Sequence, residues 1–194
     1  QPCQGWGRGF ESLHPLQFSF KRTCISLICI HIDCLQVVSE GDFIQVTKSN
    51  VLLRGLGNDD FEDWKVLWRM YLDFYETHLP EEVYEKTFER LLSKDLTSQN
   101  AIVAVGAGKI VGLVHFIFHP HNWKIEDVCY LQDLYVSDTL RGQGIGRLLI
   151  EAVYDEADKR GVPTVYWLTQ DFNKPARLLY DKIATLTPFI KYNR

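Results

Sequence analysis

Three glycines stand at alternate positions in "LQDLYVSDTLRGQGIGRLL", residues 131–149: Gly142, Gly144 and Gly146. Glycine turns that open a helix can hold phosphate. Backbone N–H groups converge there with no Cβ in the way, and the helix N-terminus adds partial positive charge. The flanking residues decide which phosphate. A triphosphate loop needs G-x-x-x-x-G-K-[ST], whose lysine reaches the outer phosphates; Arg147 and Leu148 follow Gly146 instead. A dinucleotide fingerprint, G-x-G-x-x-G, accepts Gly142 and Gly144 but places Arg147 where a third glycine should let helix and strand pack closely. The pattern that fits is R-x-x-G-x-G, at Arg141, Gly144 and Gly146. It suits a pyrophosphate held by backbone N–H groups, with no metal required.

Other candidate groups are less organised. His115, His119 and His121 invite a metal reading, but His115 and His119 lie about 13 Å apart on ideal strand rise. Surface or hairpin histidines are expected, and no metal site. Asp73, Glu76, Glu81 and Glu82 could attract a cationic amine, although such a cluster is usually a solvated face. The five cysteines are Cys3, Cys24, Cys29, Cys34 and Cys129. Zinc-type spacing is missing, and a chain able to build its own core needs no disulfide framework. Reduced thiols in a cytoplasmic or nuclear setting are expected.

The elements that must position the loop follow from periodicity. Residues 1–47 show no helical period and are expected to be an N-terminal appendage, partly disordered, ahead of a domain at 48–194. The chain begins at Gln1 and its single methionine is Met70, so the natural start is expected to be missing or the opening an unusual translation. "VLLRGL" predicts a first strand. "NDDFEDWKVLWRMYLDFYE" predicts a helix capped by Asn58 or Asp59, with Phe61, Trp64, Trp68, Tyr71 and Tyr75 as a core stripe. "HLPEEVYEKTFERLLS" predicts a second helix with Tyr84, Phe88, Leu91 and Leu92 on one face. "NAIVAVGAGKIVGLVHFIFH" predicts a hairpin turning at 106–109. "CYLQDLYVS" is the next strand, followed by the glycine loop and the helix "IGRLLIEAVYDEADKRG", stopped by Gly161. "TVYWLTQ" predicts a strand, "NKPARLLYDKI" a short helix, and "PFIKY" a last strand. The order is β-α-α-β-β-β-α-β-α-β, an α/β fold with a mixed, mostly antiparallel sheet flanked by helices.

With these elements in place, "LQDLYVSDTLRGQGIGRLL" resembles the acetyl-coenzyme A motif of the GNAT superfamily of N-acetyltransferases, and "DFNKPARLLYDK" resembles its second motif. The resemblance spans residues 48 to 194. The ending "ARLLYDKIATLTPFIKY" is similar to the yeast histone-and-other-protein acetyltransferase group, which includes a D-amino-acid N-acetyltransferase, and more loosely to polyamine acetyltransferases. The resemblance implies an acetyl-CoA-dependent transferase that moves an acetyl group directly to a primary amine in a ternary complex. It implies that the backbone of Leu134, Tyr135 and Val136 pairs with the pantetheine arm. It implies a pyrophosphate cradle from Arg141, Gly142, Gln143, Gly144, Ile145, Gly146 and Arg147, and cofactor contacts from Asn173 and Ala176. Tyr180, seven residues after Asn173, is implied as the acid toward the leaving thiolate; a tyrosine with pKa about 10 is protonated at neutral pH.

The base is where the sequence departs from the resemblance. Polyamine enzymes commonly carry Glu immediately before the Asp of this strand; here Gln132 stands there. Strand alternation puts Gln132 and Asp133 on opposite faces. The candidates are Asp133 through a water, Glu126, Asp127, or water alone, with Asp133 ranked first. A small amine or amino acid is the favoured acceptor. Lysine in a protein or histone is the alternative, and a catalytically weak CoA-binding module the second. The chain of 194 residues is 46% hydrophobic, carries a net charge of -4 and has no basic run, which argues against nucleic acid. "CISLICIHI", nine residues, is too short to span a bilayer. A homodimer through the C-terminal strand region is expected from the resemblance.

Overall fold

A computed structural model of the chain describes residues 51–95 and 98–194. The expected appendage, with Cys3, Cys24, Cys29, Cys34 and the apolar run 24–32, lies outside the described residues. The elements are β1 (Val51–Gly55), α1 (Phe61–Phe74), α2 (Glu81–Leu92), β2 (Gln99–Gly106), β3 (Lys109–His119), β4 (Val128–Val136), α3 (Ile145–Lys159), β5 (Val165–Trp167) and α4 (Lys174–Ile183), with short 3₁₀ turns before α1 and after β4. The sheet order is β1-β2-β3-β4-β5. The first three pairings are antiparallel and β4–β5 is parallel. No helix among the described residues is long and apolar enough to cross a membrane.

Each face of the sheet carries its own core. Val114, Phe116, Leu131 and Val136 pack with Ile145, Leu149, Ile150 and Val153 of α3. Val103, Leu113 and Tyr135 pack on the other face with Trp64, Trp68, Tyr84 and Phe88 of α1 and α2. The β2–β3 hairpin turns through Ala107 and Gly108, both at positive φ, as a two-residue turn that matches strand twist requires. Past the end of α3, Gly161 lies at φ 69. Its N–H bonds Asp158 O at 3.0 Å and the next N–H, of Val162, bonds Ala157 O at 2.9 Å, closing a Schellman motif.

Three expectations change. Asn58 and Asp59 do not cap α1; they lie in the 3₁₀ turn, and Asp60 is the N-cap. Asp60 is claimed by its surroundings: Arg54 Nη2 donates to it at 2.8 Å and the Gly57 N–H at 2.7 Å, and the Arg54 guanidinium holds its carboxyl below the usual range. The last strand, expected within "PFIKY", does not form: after α4 the described residues hold no strand, and Leu186, Phe189, Ile190 and Tyr192 are exposed. Alternation marks a segment able to be a strand, but a strand needs a partner, and none pairs with it among the described residues. Finally, β4 is not regular. His115 pairs with Asp133 and Phe116 with Leu131, so Gln132 is the extra residue of a β-bulge. A bulge breaks the period of two and bends the strand. On the other edge of β4, pairing with β5 covers only Cys129, Tyr130 and Leu131. From Gln132 onward that edge has no strand partner among the described residues, and the two strands part.

Candidate active site

The open edge of β4 is one wall of a cavity of about 530 Å³. Leu134, Tyr135 and Val136 line it from the strand, and Arg141, Gly142 and Gly144 from the loop. Ile145, Gly146 and Arg147 line it from the first turn of α3, while Asn173, Ala176 and Tyr180 close the far side. The predicted cofactor residues therefore converge, except Gln143, which is exposed and does not line the cavity. Sequence reading missed the end of α1: Tyr71, Phe74 and Tyr75 also form this wall.

The loop geometry follows from its glycines. Gly142 and Gly144 sit at φ 77 and 86, the left-handed region that costs a residue with a Cβ about 1–2 kcal/mol. A Cβ built on either would meet nothing within 4 Å, so the backbone stands open there. The first bond of α3 runs from Leu148 N to Gly144 O at 3.1 Å. The N–H groups of Ile145, Gly146 and Arg147 precede any acceptor inside the helix. An open cradle of N–H donors at a helix N-terminus fits a pyrophosphate. Arg141 has a structural part as well. Its Nε donates to Val136 O at 3.2 Å, its Nη2 pairs with Asp138 at 2.6 Å, and its guanidinium lies over the Tyr135 ring at 5.2 Å. It ties the loop back onto β4 while also lining the larger cavity.

On the opposite wall, Asn173 caps α4, its O accepting from Arg177 N at 3.1 Å, and its Nδ2 donates to Thr169 at 3.2 Å. Tyr180 packs edge-on against Trp167, with ring centroids 5.3 Å apart. Burial first, then the neighbouring Tyr75, pushes its phenol up to about 12. The hydroxyl is thus a standing proton donor through the physiological range.

A second cavity, of about 320 Å³, opens between α1, α2 and the sheet. His115, Gln132 and Asp133 line it from the strands. Among the described residues, His115 and Asp133 are the buried polar side chains, 4% and 6% exposed. They are held by the aromatic stripe of α1. Trp64 Nε1 donates to His115 Nε2 at 2.8 Å. An indole N–H only donates, so Nε2 must accept, and the ring carries its single proton on Nδ1. That proton points at Asp133 Oδ2, 2.9 Å away. Trp68 Nε1 donates to the same oxygen at 3.2 Å, and the Tyr71 hydroxyl also donates to Asp133. Burial, then the Asp133 charge, lifts the Tyr71 phenol far above its ordinary range. Tyr71 is also in the wall of the first cavity, so one hydroxyl joins the carboxylate of one cavity to the space of the other.

These contacts correct the sequence reading. His115 stands on the β2–β3 hairpin as expected, but buried rather than at the surface, and the α1 stripe is core with polar handles on the His115–Asp133 pair. His119 bonds the Tyr166 hydroxyl at 3.0 Å and His121 accepts from Trp123 N at 3.3 Å, so the three histidines do not converge. Gln132 and Asp133 do not face opposite ways as alternation predicted: the bulge lets both line one cavity. Asp73, Glu76, Glu81 and Glu82 form an exposed face and border neither cavity. Glu126 and Asp127 are exposed as well.

Residues 64–184 match the Acetyltransferase (GNAT) family, and the chain belongs to it. It is 36% identical over 151 residues, 77% of this chain and 94% of the relative, to the D-amino-acid N-acetyltransferase HPA3 of Saccharomyces cerevisiae. It is 37% identical over 75 residues, 39% of this chain and 44% of the relative, to the thialysine N-epsilon-acetyltransferase of Bos taurus. The fold is shared with the aminoglycoside acetyltransferase AAC(6')-Iy, solved in complex with a bisubstrate analog, at TM-score 0.66 and 18% identity over 75% of this chain and 98% of that one. It is shared too with a ribosomal-protein-alanine N-acetyltransferase from Brucella melitensis, at TM-score 0.63 and 24% identity over 74% and 98%.

Proposed function

We propose that the protein uses acetyl-CoA to acetylate the primary amine of a small acceptor, an amino acid or a simple amine. The observation that carries this is the division of labour along β4. Asp133 turns into the smaller cavity, while its neighbours Leu134, Tyr135 and Val136 line the larger one. An acceptor on one side and an acyl donor on the other would meet at this strand. The relatives support a small acceptor: one is named for D-amino acids and one for thialysine.

Acetyl-CoA, when bound, supplies an activated acetyl group as a thioester. The open β4 edge offers backbone groups for its amide-bearing arm, and the loop and first turn of α3 offer N–H groups for its pyrophosphate. Asp133 is the proton acceptor on the amine side, held in place by Trp68, His115 and Tyr71. Tyr180 presents its phenolic proton on the cofactor side. The acceptor is tested by screening spermidine, D-amino acids, free lysine and histone peptides with acetyl-CoA while following thiol release. Turnover of at least one small amine is expected. Activity on peptides alone overturns the small-acceptor reading; CoA binding without turnover of any amine makes the protein a binding module.

A further inference from the structure

The smaller cavity is charged at two points. Asp133 lies on its β4 side, 6% exposed. Arg90, in the last turn of α2, also lines the cavity and is exposed to solvent. His115 adds no second cation, because its Nε2 is occupied in accepting the Trp64 N–H. Arg90 is not neutralised by the acids of its own helix. Glu89 pairs with Lys86 and Glu81 with Lys65, and Arg90 makes no ion pair among the described residues. Leu72, Val83 and Leu91 supply apolar wall.

A buried anion with a cation at the rim is the complement of a molecule that carries an ammonium and a carboxylate. Such a molecule enters amine first, since Asp133 is the enclosed charge and Arg90 the exposed one. A polyamine would bring its second ammonium toward Arg90, where like charges repel. A guanidinium can instead take a carboxylate through two parallel N–H bonds. We infer that the acceptor is a free amino acid and that Arg90 is the specificity residue that recognises its carboxylate. The inference rests on the reading of this cavity as the acceptor site.

The test compares kcat/KM with acetyl-CoA for leucine of either hand, leucinamide and isopentylamine, in the wild type, Arg90→Ala and Arg90→Lys. The wild type is expected to prefer leucine over leucinamide by roughly three- to tenfold, between the scale of an exposed ion pair and that of a hydrogen bond to a charge. In Arg90→Ala that ratio falls toward one, mainly through KM for leucine. Arg90→Lys recovers part of it, keeping the charge but losing the fork. A wild-type ratio near one, or a ratio that Arg90→Ala leaves intact, overturns the role of Arg90. A wild type that acetylates none of these amines, nor any other small amine, overturns the acceptor-site reading itself.

Discussion

Gly146→Ala separates the two jobs a glycine loop can have. Gly142 and Gly144 need glycine for backbone reasons, at φ 77 and 86. Gly146 does not: it lies inside α3, in the first turn. A Cβ there meets Leu179 Cδ2 and Val136 Cγ2 at 3.8 Å, ordinary contact. For the fold alone, alanine is an improvement by up to about 1 kcal/mol, since glycine is the poorer helix former. The melting temperature should hold or rise by roughly 2–4 °C in a chain of this size. Yet Val136 and Leu179 are walls of the larger cavity, so the new methyl stands in the cleft between β4 and α4. Overfilling a close-packed contact costs about 1–3 kcal/mol, which weakens CoA binding by roughly 5- to 150-fold. Calorimetric titration with CoA and a thermal melt on the same sample read both effects. Gly144→Ala is the contrast: its left-handed backbone predicts a loss of about 1–2 kcal/mol in stability. Wild-type CoA affinity in a stable Gly146→Ala protein would refute the cradle. A lower melting temperature would refute the packing argument.

Three further outcomes follow from the carboxylate and the phenol. Tyr180→Phe keeps the ring against Trp167 and loses only the hydroxyl, so the melt should not move while kcat falls about 10²-fold or more. With the phenol pushed up to about 12, the protonated donor is present at lower pH and is lost only as pH rises through that value; a rate decline near pH 10 that Tyr180→Phe abolishes would contradict the burial argument. Asp133→Asn replaces an acceptor oxygen by an N–H group among donors from Trp68, His115 and Tyr71, so stability should drop by about 1–3 kcal/mol and kcat/KM should fall for every amine. Trp64→Phe removes the donor that fixes the His115 tautomer: ¹⁵N spectra should show the proton on Nδ1 in the wild type and a mixture in the variant. A wild-type proton on Nε2 would break the chain of contacts.

What was legible in the sequence is what the backbone demands locally. Gly142, Gly144 and Gly161 stand at positive φ, and the apolar periods gave the helices their buried faces. The polar wiring was not legible. Trp64 and His115 are 51 residues apart, and Trp68 and Asp133 are 65 apart. A tryptophan stripe has the same period whether its N–H groups meet a carboxylate or nothing, so periodicity assigned it to the core and stopped there. The contacts of Arg141 were hidden in a similar way: it lines the larger cavity and also ties the loop to β4. The final strand shows the converse error, for "PFIKY" has the residues of a strand and no partner strand among the described residues.

The bulge at Gln132 bears on the missing acid. The resemblance put a carboxylate in doubt because Gln132 stands where polyamine enzymes commonly carry Glu, and strict alternation would turn Asp133 away from that space. Alternation holds only while each strand residue has one partner. The pairing passes from Asp133 directly to Leu131, so the face changes at Gln132, and Gln132 and Asp133 open onto one cavity. The carboxylate therefore reaches the space that Gln132 faces without occupying its position. It also arrives better supported than a side chain at the bulge would be. Asp133 is regularly paired with His115 across the ladder, so the residue that aligns its backbone is also the one that donates to its oxygen. Deleting Gln132 should therefore leave Leu131 paired with Phe116 on its present face and both cores intact, and remove only the bend that the bulge puts into β4 beside the acid.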